Sequence, residues 1–216
     1  LMWVSTPGRK PEYFRLAVLT RYNGDSWTPG DRDIPDNQIA QGQMPALHGV
    51  STSLEQTETP YNVRVSQEFE SEWLPTTQHV SEITAGLSWR YDRRTMDFMS
   101  INDELTTAGK TYSLTGVSVD PDPESMDDTV SGASAVDPVF TQVPATLPTP
   151  IRSIAEGVTG AQDTRFRKAR ALQQWFREDG GFTYNLEAVE STGAGAVAVS
   201  IGNPYRPAGT SRKRVR

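Results

Sequence analysis

The stretch TYSLTGVSVD, residues 111–120, alternates apolar and polar side chains, a pattern typical of a half-buried β-strand. Tyr112 and Leu114 share one face of this strand. The apolar positions change phase between Gly116 and Val117. A bulge at Gly116 would account for the change, because a glycine inside a strand often marks a bulge. The stretch therefore predicts a strand with one irregularity near its middle.

Other short stretches upstream carry the same kind of signal. YNVRVSQEF alternates over residues 61–69, and YFRLAVLTRY, rich in aromatic and β-branched residues, ends at the turn signal NGDSW. Three further strand candidates are residues 77–84, 87–91 and 95–101. About six short strands at this spacing predict an antiparallel β-sandwich. We expect it to occupy an N-terminal domain of residues 1–140.

The pattern changes from strands to helices after residue 140. Thr149 and Pro150 predict the start of one helix, and Asp163 is the predicted cap of a second. Gly180-Gly181 ends the second helix, and FTYNL, residues 182–186, reads as a strand. The apolar stripe of the second helix consists of Phe166, Ala169, Leu172, Trp175 and Phe176. The fold class is thus mainly β with C-terminal helices, an α+β arrangement.

The composition limits the chemistry that this chain can perform. None of the 216 residues is a cysteine, which excludes disulfides, cysteine-bound zinc and thiol catalysis within the chain. The net charge of −6 argues against nucleic acid as the main partner. The sequence lacks any run of the roughly 18 apolar residues that would span a bilayer.

The last 26 residues differ in composition from the rest. From Ser191 onward the chain holds no Asp or Glu, and five Lys or Arg lie between Arg206 and Arg216. We interpret residues 191–216 as a disordered or foreign tail. A basic tail of this kind could also bind an anionic surface.

Two segments resemble bacterial transglutaminase-like membrane proteins. YFRLAVLTRYNGDSW, residues 13–27, is similar to the segment that opens the extracytoplasmic part of these proteins. The sequence from Val143 to Leu186, VPATLPTPIRSIAEGVTGAQDTRFRKARALQQWFREDGGFTYNL, resembles the linker and first helices of their transglutaminase-like core. The resemblance assigns residues 141–190 to the start of that core. It implies an extracytoplasmic location at the bacterial cell surface or in the periplasm, with membrane anchoring by segments of the parent protein that this chain lacks.

The resemblance also implies a catalytic site that this chain does not contain. The family core belongs to the papain-like group, and its expected triad is Cys-His-Asp, with the cysteine at the start of a helix where its thiolate is stabilised. The corresponding stretch here, ESTGAGAVAVSIGNPYRPAGTSRKRVR, holds neither Cys nor His. We therefore expect a chain truncated before the nucleophile, inactive as a transamidase or protease, although its parent resembles a cysteine enzyme.

Aromatic and basic residues of the predicted sandwich are the candidates for a binding surface. Trp27, Trp73 and Trp89 could form a platform for a glycan or peptide, although single tryptophans on a sandwich more often pack in the core or at its rim. Arg15 could stack on an aromatic ring or pair with a carboxylate, with a structural role as the default. These four residues are the predicted binding surface.

The remaining polar motifs give weaker signals. His48 and His79 are the only histidines and lie outside any metal or triad spacing, which favours structural or surface roles. The acidic stretch of residues 120–128 could bind calcium through its oxygens, but it lacks the order of an EF-hand loop, so a solvated loop is favoured and the question stays open. We expect no metal and no cofactor.

Two functions remain open on these observations. The favoured one is a non-catalytic N-terminal portion of a transglutaminase-like protein, with a positioning, structural or cell-envelope role. Its partners would be the remainder of the core or another protein, cell-wall material, or a second copy of the chain, and not nucleic acid. The alternative is a stand-alone extracellular β-sandwich that acts as an adhesion or carbohydrate-binding module.

Overall fold

The computed structural model describes residues 1–8, 10–24, 26–46, 50, 54–102, 105–127 and 136–182. They form two compact units. The first, here the β unit, consists of Leu1–Leu19 and Pro29–Pro121. The second, the helical unit, consists of Thr20–Thr28 and the described residues from Asp122 onward.

The main sheet of the β unit has five antiparallel strands in the order β1-β5-β9-β6-β4. These strands are β1 (Met2–Ser5), β4 (Gln41–Gln43), β5 (Gln56–Val65), β6 (Val80–Thr84) and β9 (Thr111–Val119). The two long strands, β5 and β9, pair continuously from Gln56 opposite Val119 to Arg64 opposite Thr111. Side chains of β5 alternate strictly between exposed and buried from Thr59 to Val65, as the period of two requires.

A smaller antiparallel pair, β7 (Trp89–Tyr91) with β8 (Phe98–Ser100), supplies the second layer. Single bridges extend this pair on both sides, from Ile39 to Arg90 and from Trp73 to Met99. Both layers contribute to one hydrophobic core: Ala40, Leu74, Trp89 and Phe98 from the smaller layer and its flanks cluster with Tyr61, Val63, Val65, Val80, Ile83, Tyr112 and Leu114 of the main sheet. The predicted mainly β, antiparallel class with C-terminal helices is confirmed.

The irregularity predicted at Gly116 lies on the neighbouring strand. The register between β6 and β9 shifts between Val80 and Glu82, so Ser81 of β6 is the extra residue, while β5 and β9 pair without interruption through Gly116. A Cβ atom at Gly116 would lie 2.8 Å from Thr77 Oγ1 and 2.9 Å from Tyr61 Cε2. Glycine is needed here because its neighbours approach closely, not because its own strand bulges.

The predicted strand over residues 13–22 was largely wrong. Only β2 (Arg21–Tyr22) and a single bridge from Arg15 to Thr76 are formed there, and β2 pairs with β3 (Trp27–Thr28) in the helical unit. Between these points the backbone bonds to side chains: the Val18 amide donates to Asp97 Oδ2 at 2.8 Å, and its carbonyl accepts from Arg32 at 2.6 Å. Side chains thus take the place of a neighbouring strand.

The helical unit contains α1 (Pro123–Asp127), α2 (Thr149–Thr159), α3 (Arg165–Gln174) and a π-helical turn over Trp175–Asp179. The cap of α3 is Thr164 rather than the predicted Asp163, because the Thr164 hydroxyl accepts from the Arg167 amide. Phe182, at the start of the predicted FTYNL strand, is described and is not in a strand; residues 183–186 and the tail lie outside the described residues. The compact β unit ends at Pro121, and the domain limits at residues 140 and 190 stay predictions.

Candidate functional site

The most strongly connected polar site of the β unit is an internal cluster of two arginines and two aspartates. It consists of Arg15, Arg32, Asp92 and Asp97, and is called the Arg–Asp cluster below. Arg32 Nη1 donates to Asp92 Oδ2 at 2.7 Å, and its Nη2 donates to Asp97 Oδ2 at 3.1 Å. The side chains of these three residues are at most 7% exposed. Charges this deeply buried are retained where they pair with each other.

The hairpin loop between β7 and β8 brings the two carboxylates together. The Asp92 amide donates to the Asp97 carbonyl at 3.0 Å, and the Met96 amide donates to the Asp92 carbonyl at 2.7 Å. Met96 takes a φ of 52°, an uncommon backbone conformation for a residue other than glycine. This tight reversal sets the ends of the loop side by side, so that one arginine can bind both acids.

Asp97 is fully hydrogen-bonded in the interior. Its Oδ1 accepts from the Thr95 hydroxyl at 2.5 Å, while its Oδ2 accepts from the Val18 amide as well as from Arg32. Asp92 Oδ1 accepts from the Arg94 amide at 2.8 Å. Every carboxylate oxygen of the cluster therefore has a donor, and the side chains of both acids are buried, which favours a structural role for them.

Arg15 connects its own segment to the same loop through side-chain hydrogen bonds. Its Nη2 donates to the carbonyls of Thr95 at 2.6 Å and Met96 at 3.0 Å. Its backbone exchanges two hydrogen bonds with Thr76, at 2.8 and 2.9 Å. Burial lowers the pKa of Arg15, and the nearby charge of Asp97 opposes that shift. The contacts support the structural role that was the default reading of this residue.

The three predicted tryptophans have different environments. Trp73 is half-buried; the Arg32 guanidinium lies 5.7 Å from its ring centre, and its Nε1 donates to Glu72. Trp27 is 56% exposed in the helical unit, stacked on Tyr22 at 5.0 Å. Trp89 is only 1% exposed and lies in the core, so its place in a binding surface was wrong: its ring is covered by both layers and by Lys110.

Sequence reasoning missed Arg32, Asp92 and Asp97. Asp92 directly follows one strand candidate and Asp97 lies inside the next, residues 95–101, so no local pattern set the two acids apart as a pair. Arg32 lies in a Gly- and Pro-containing stretch about 60 positions before its partners. The contact of Arg32 with Asp92 and Asp97 depends on the tertiary fold, which brings the stretch around Arg32 next to the β7–β8 hairpin, and a local sequence pattern does not encode it.

Of the two histidines, His79 is described and His48 is not. The pKa of His79 is lowered, chiefly by burial and then by the charge of Arg15, while Glu12 opposes the shift. Its carbonyl accepts from the Val117 amide and from the Thr77 hydroxyl. No group of three or more His, Asp or Glu in the described ranges could hold a metal ion.

Part of the acidic stretch 120–128 is engaged within the helical unit. Asp127 accepts from the Thr164 hydroxyl at 2.6 Å and from Arg167 Nε at 2.5 Å, which ties α1 to the start of α3. These hydrogen bonds lower the pKa of Asp127, and the one from Thr164 has the largest effect. Asp122 accepts from the amide and hydroxyl of Ser125. Two of the acids thus serve local structure, and Asp128 lies outside the described residues.

The comparison with protein families bears directly on the β unit. A family model described as the TgpA N-terminal domain matches residues 1–123, more than half of the chain. The chain belongs to this family. The matched TgpA N-terminal domain ends close to Pro121, where the compact β unit ends, and it includes the complete Arg–Asp cluster.

The family identifies the β unit as an N-terminal domain of a transglutaminase-like protein, in agreement with the resemblance seen in the sequence. Neither the curated proteins nor the solved structures contain a significant match to the chain. Among the described residues, none of the helices is long and apolar enough to cross a bilayer.

Proposed function

We propose that the β unit is a non-catalytic domain that positions or shields the core of a transglutaminase-like protein and contacts cell-envelope material. The observation that carries this proposal is the family match over residues 1–123, which covers the β unit. The domain would act outside the cytoplasm, in a parent protein held at the membrane by other segments.

The site chemistry supports a scaffolding role for this domain. A general base or nucleophile needs a group within reach of the substrate and a free electron pair. In the Arg–Asp cluster both acids are buried and hydrogen-bonded, and the chain has no cysteine. The cluster fixes residues 15–18 and Arg32 to the hairpin, so that its charges serve the shape of the domain.

The absence of catalysis is tested with the purified chain in an amine-incorporation assay, with and without a thiol alkylator. We expect no incorporation above a protein-free blank. Incorporation that persists in the presence of the alkylator would contradict the proposal. Incorporation that the alkylator abolishes would come from a contaminating thiol enzyme, because this chain has no thiol. A cysteine-containing transglutaminase run in parallel controls for the reagents.

The envelope role is tested separately by co-sedimentation with purified peptidoglycan sacculi. We expect the intact chain to sediment with the sacculi and an unrelated protein of net charge near −6 to stay in solution. Sedimentation velocity of the chain alone would show whether a second copy is also a partner. If the chain stays in the supernatant at all salt concentrations, the envelope role fails while the family assignment stands.

A carbohydrate-binding module is the second candidate, and the open face of the main sheet favours it. One row of short polar side chains crosses all five strands: Ser5, Asn62, Ser113, Thr84 and Gln41. Beside it Trp3 is 58% exposed, with Arg64 at 4.7 Å from its ring centre. Binding to a glycan array that Trp3→Ala abolishes and Trp27→Ala preserves would support this second function.

A further inference from the structure

An open cleft lies beside Arg15 in the β unit. It is lined by residues 10–15 and Gln78 and has a volume of about 620 Å³, within the range of small-molecule sites. Phe14 packs edge-on against Tyr61 of the core at 5.5 Å, which fixes one wall. Tyr13, in contrast, is 98% exposed, so its ring is available to cover a ligand.

The guanidinium of Arg15 has hydrogen-bonding capacity that the fold does not use. Both of its hydrogen bonds to Thr95 and Met96 come from Nη2. Nε is buried and out of reach of a ligand, whereas Nη1 is not among the buried unpartnered atoms and makes no hydrogen bond to the described residues. Among the described residues the buried ion pairs of this region join Asp92 and Asp97 to Arg32, and Arg15 belongs to none of them. Within the described residues the Arg15 guanidinium therefore donates to neutral carbonyls, and its Nη1 stays available for an anionic ligand.

The charges around the cleft favour an anion. Lys10 and Arg15 supply two positive charges to the lining, against one negative charge from Glu12. This local excess contrasts with the net charge of −6 for the whole chain. A planar guanidinium held in a fixed orientation matches the geometry of a carboxylate better than a mobile ammonium group does.

We propose that this cleft binds the carboxylate of a small ligand, with Arg15 as the hydrogen-bonding partner, Lys10 as a second cation and Tyr13 as an aromatic cover. The carboxylate could be the C-terminus of a short peptide or a free small acid. The site does not depend on the proposed role of the domain in a transglutaminase-like protein.

The test is a titration of the intact, isotope-labelled chain followed by amide chemical shifts. The probes are N-acetyl-alanyl-alanine with a free carboxylate, the same dipeptide as its C-terminal amide, and acetate. We expect saturable shifts centred on residues 10–15 and 78, and an affinity for the acid about tenfold or more above that for the amide. Tighter binding of the dipeptide than of acetate identifies a peptide as the source; equal binding identifies a small free acid.

Three variants locate the interaction. Arg15→Gln should remove the preference for the acid over the amide. Lys10→Gln, at an exposed position, should weaken acid binding about two- to threefold, as expected for an exposed charge. Arg64→Gln removes an exposed arginine that does not line the cleft, and it should leave the affinity for the acid unchanged.

The wild-type titration and Lys10→Gln remain decisive if Arg15→Gln fails to fold. Equal affinity for acid and amide, saturable shifts centred elsewhere, or the absence of saturation would each overturn the proposal. An equal loss of affinity in Lys10→Gln and Arg64→Gln would also overturn it, because it would indicate attraction to positive charge in general.

Discussion

The β unit and the helical unit bury their side chains to different degrees. Among the described residues the buried hydrophobic side chains, from Ala40 to Val117, all belong to the β unit, whereas no residue of α2 or α3 is buried. In the helical unit Phe176 is 53% exposed, although it contacts Trp175 and Phe182. Since burial of apolar surface is the main source of stability, the two units should differ in how firmly they are folded.

Amide hydrogen exchange on the intact chain tests this difference most broadly. We expect the slowest exchange in β5 and β9, where opening requires unfolding of the whole β unit, and exchange at least about a hundredfold faster in α2 and α3. Mass spectrometry or NMR gives the rates. Equal protection of the two sets of amides would show that the helical unit is as stable as the β unit.

Trp89→Ala should produce the largest loss of stability by a single substitution in the β unit. Its ring fills the core between the layers, so we expect about 4 kcal/mol off the free energy of unfolding. Trp3→Ala is the matched control: Trp3 is 58% exposed, and its loss should cost less than about 1 kcal/mol. Urea denaturation monitored by circular dichroism measures both, and similar losses would contradict the assignment of Trp89 to the core.

Asp97→Ala should cost nearly as much, about 3 kcal/mol, because it leaves Arg32 buried with one acid fewer and the Val18 amide without an acceptor. Asp120, exposed just beyond β9, provides the control, and Asp120→Ala should fall within about 0.5 kcal/mol of the wild type. The same denaturation experiment applies. A neutral Asp97→Ala would show that the Arg–Asp cluster contributes nothing net to folding.

Two glycine-to-alanine substitutions should change stability in opposite directions, one in each unit. Gly116→Ala should destabilise the β unit by about 1–3 kcal/mol, because the new methyl group meets Thr77 and Tyr61 below 3.0 Å. Gly157→Ala, inside α2 with open space around it, should stabilise that helix by about 0.5–1 kcal/mol. Denaturation reports the first change and hydrogen exchange in α2 the second. A stabilising Gly116→Ala would rule out the close approach at the sheet.

The smallest effect concerns His79 and pH. Its pKa is lower in the folded protein than in the unfolded chain, mainly through burial, so the unfolded chain binds the proton more readily. The stability of the β unit should therefore fall as the pH drops through about 6.5, the ordinary pKa of histidine, and level off below the folded value. Melting temperatures between pH 8 and pH 5 measure it, and His79→Gln should flatten that part of the profile. An unchanged slope would assign the pH dependence to other groups.

Local patterns were sufficient for part of the fold. The alternation predicted β9 almost to the residue, because a half-buried strand needs an apolar face with a period of two. At β5 the predicted residues 61–69 cover only the second half of the observed strand, which begins at Gln56 and ends at Val65. Pro150 correctly indicated the start of α2, but Thr149, expected as its cap, is the first helical residue, and Pro148 occupies the cap position without a side-chain hydrogen bond. Residues 13–22 were wrongly predicted as a strand because they are rich in aromatic and β-branched residues. The same composition suits an extended segment whose backbone is bound by side chains, as Val18 is by Asp97 and Arg32.

The candidate site was only partly accessible to this kind of reasoning. Arg15 was identified as a residue that could pair or stack, but its acceptors, the carbonyls of Thr95 and Met96, are some 80 positions away. Trp73 and Trp89 looked alike in the sequence, yet one contacts Arg32 and the other lies in the core. Burial is a property of the assembled layers, and a tryptophan in a short strand candidate fits either environment.

The sequence alone determined the β class, the helices after it, the absence of thiol chemistry and the kinship with transglutaminase-like proteins. The first three follow from periodicity and composition, which can be read from the chain without its contacts, whereas the kinship rests on the resemblance of residues 13–27 and 143–186 to that family. The tertiary structure decided that Arg32 binds both aspartates, that Ser81 carries the bulge opposite Gly116, and that Arg15 faces a cleft. Each of these depends on contacts between distant segments, whose distances are fixed only when the two layers close over a common core.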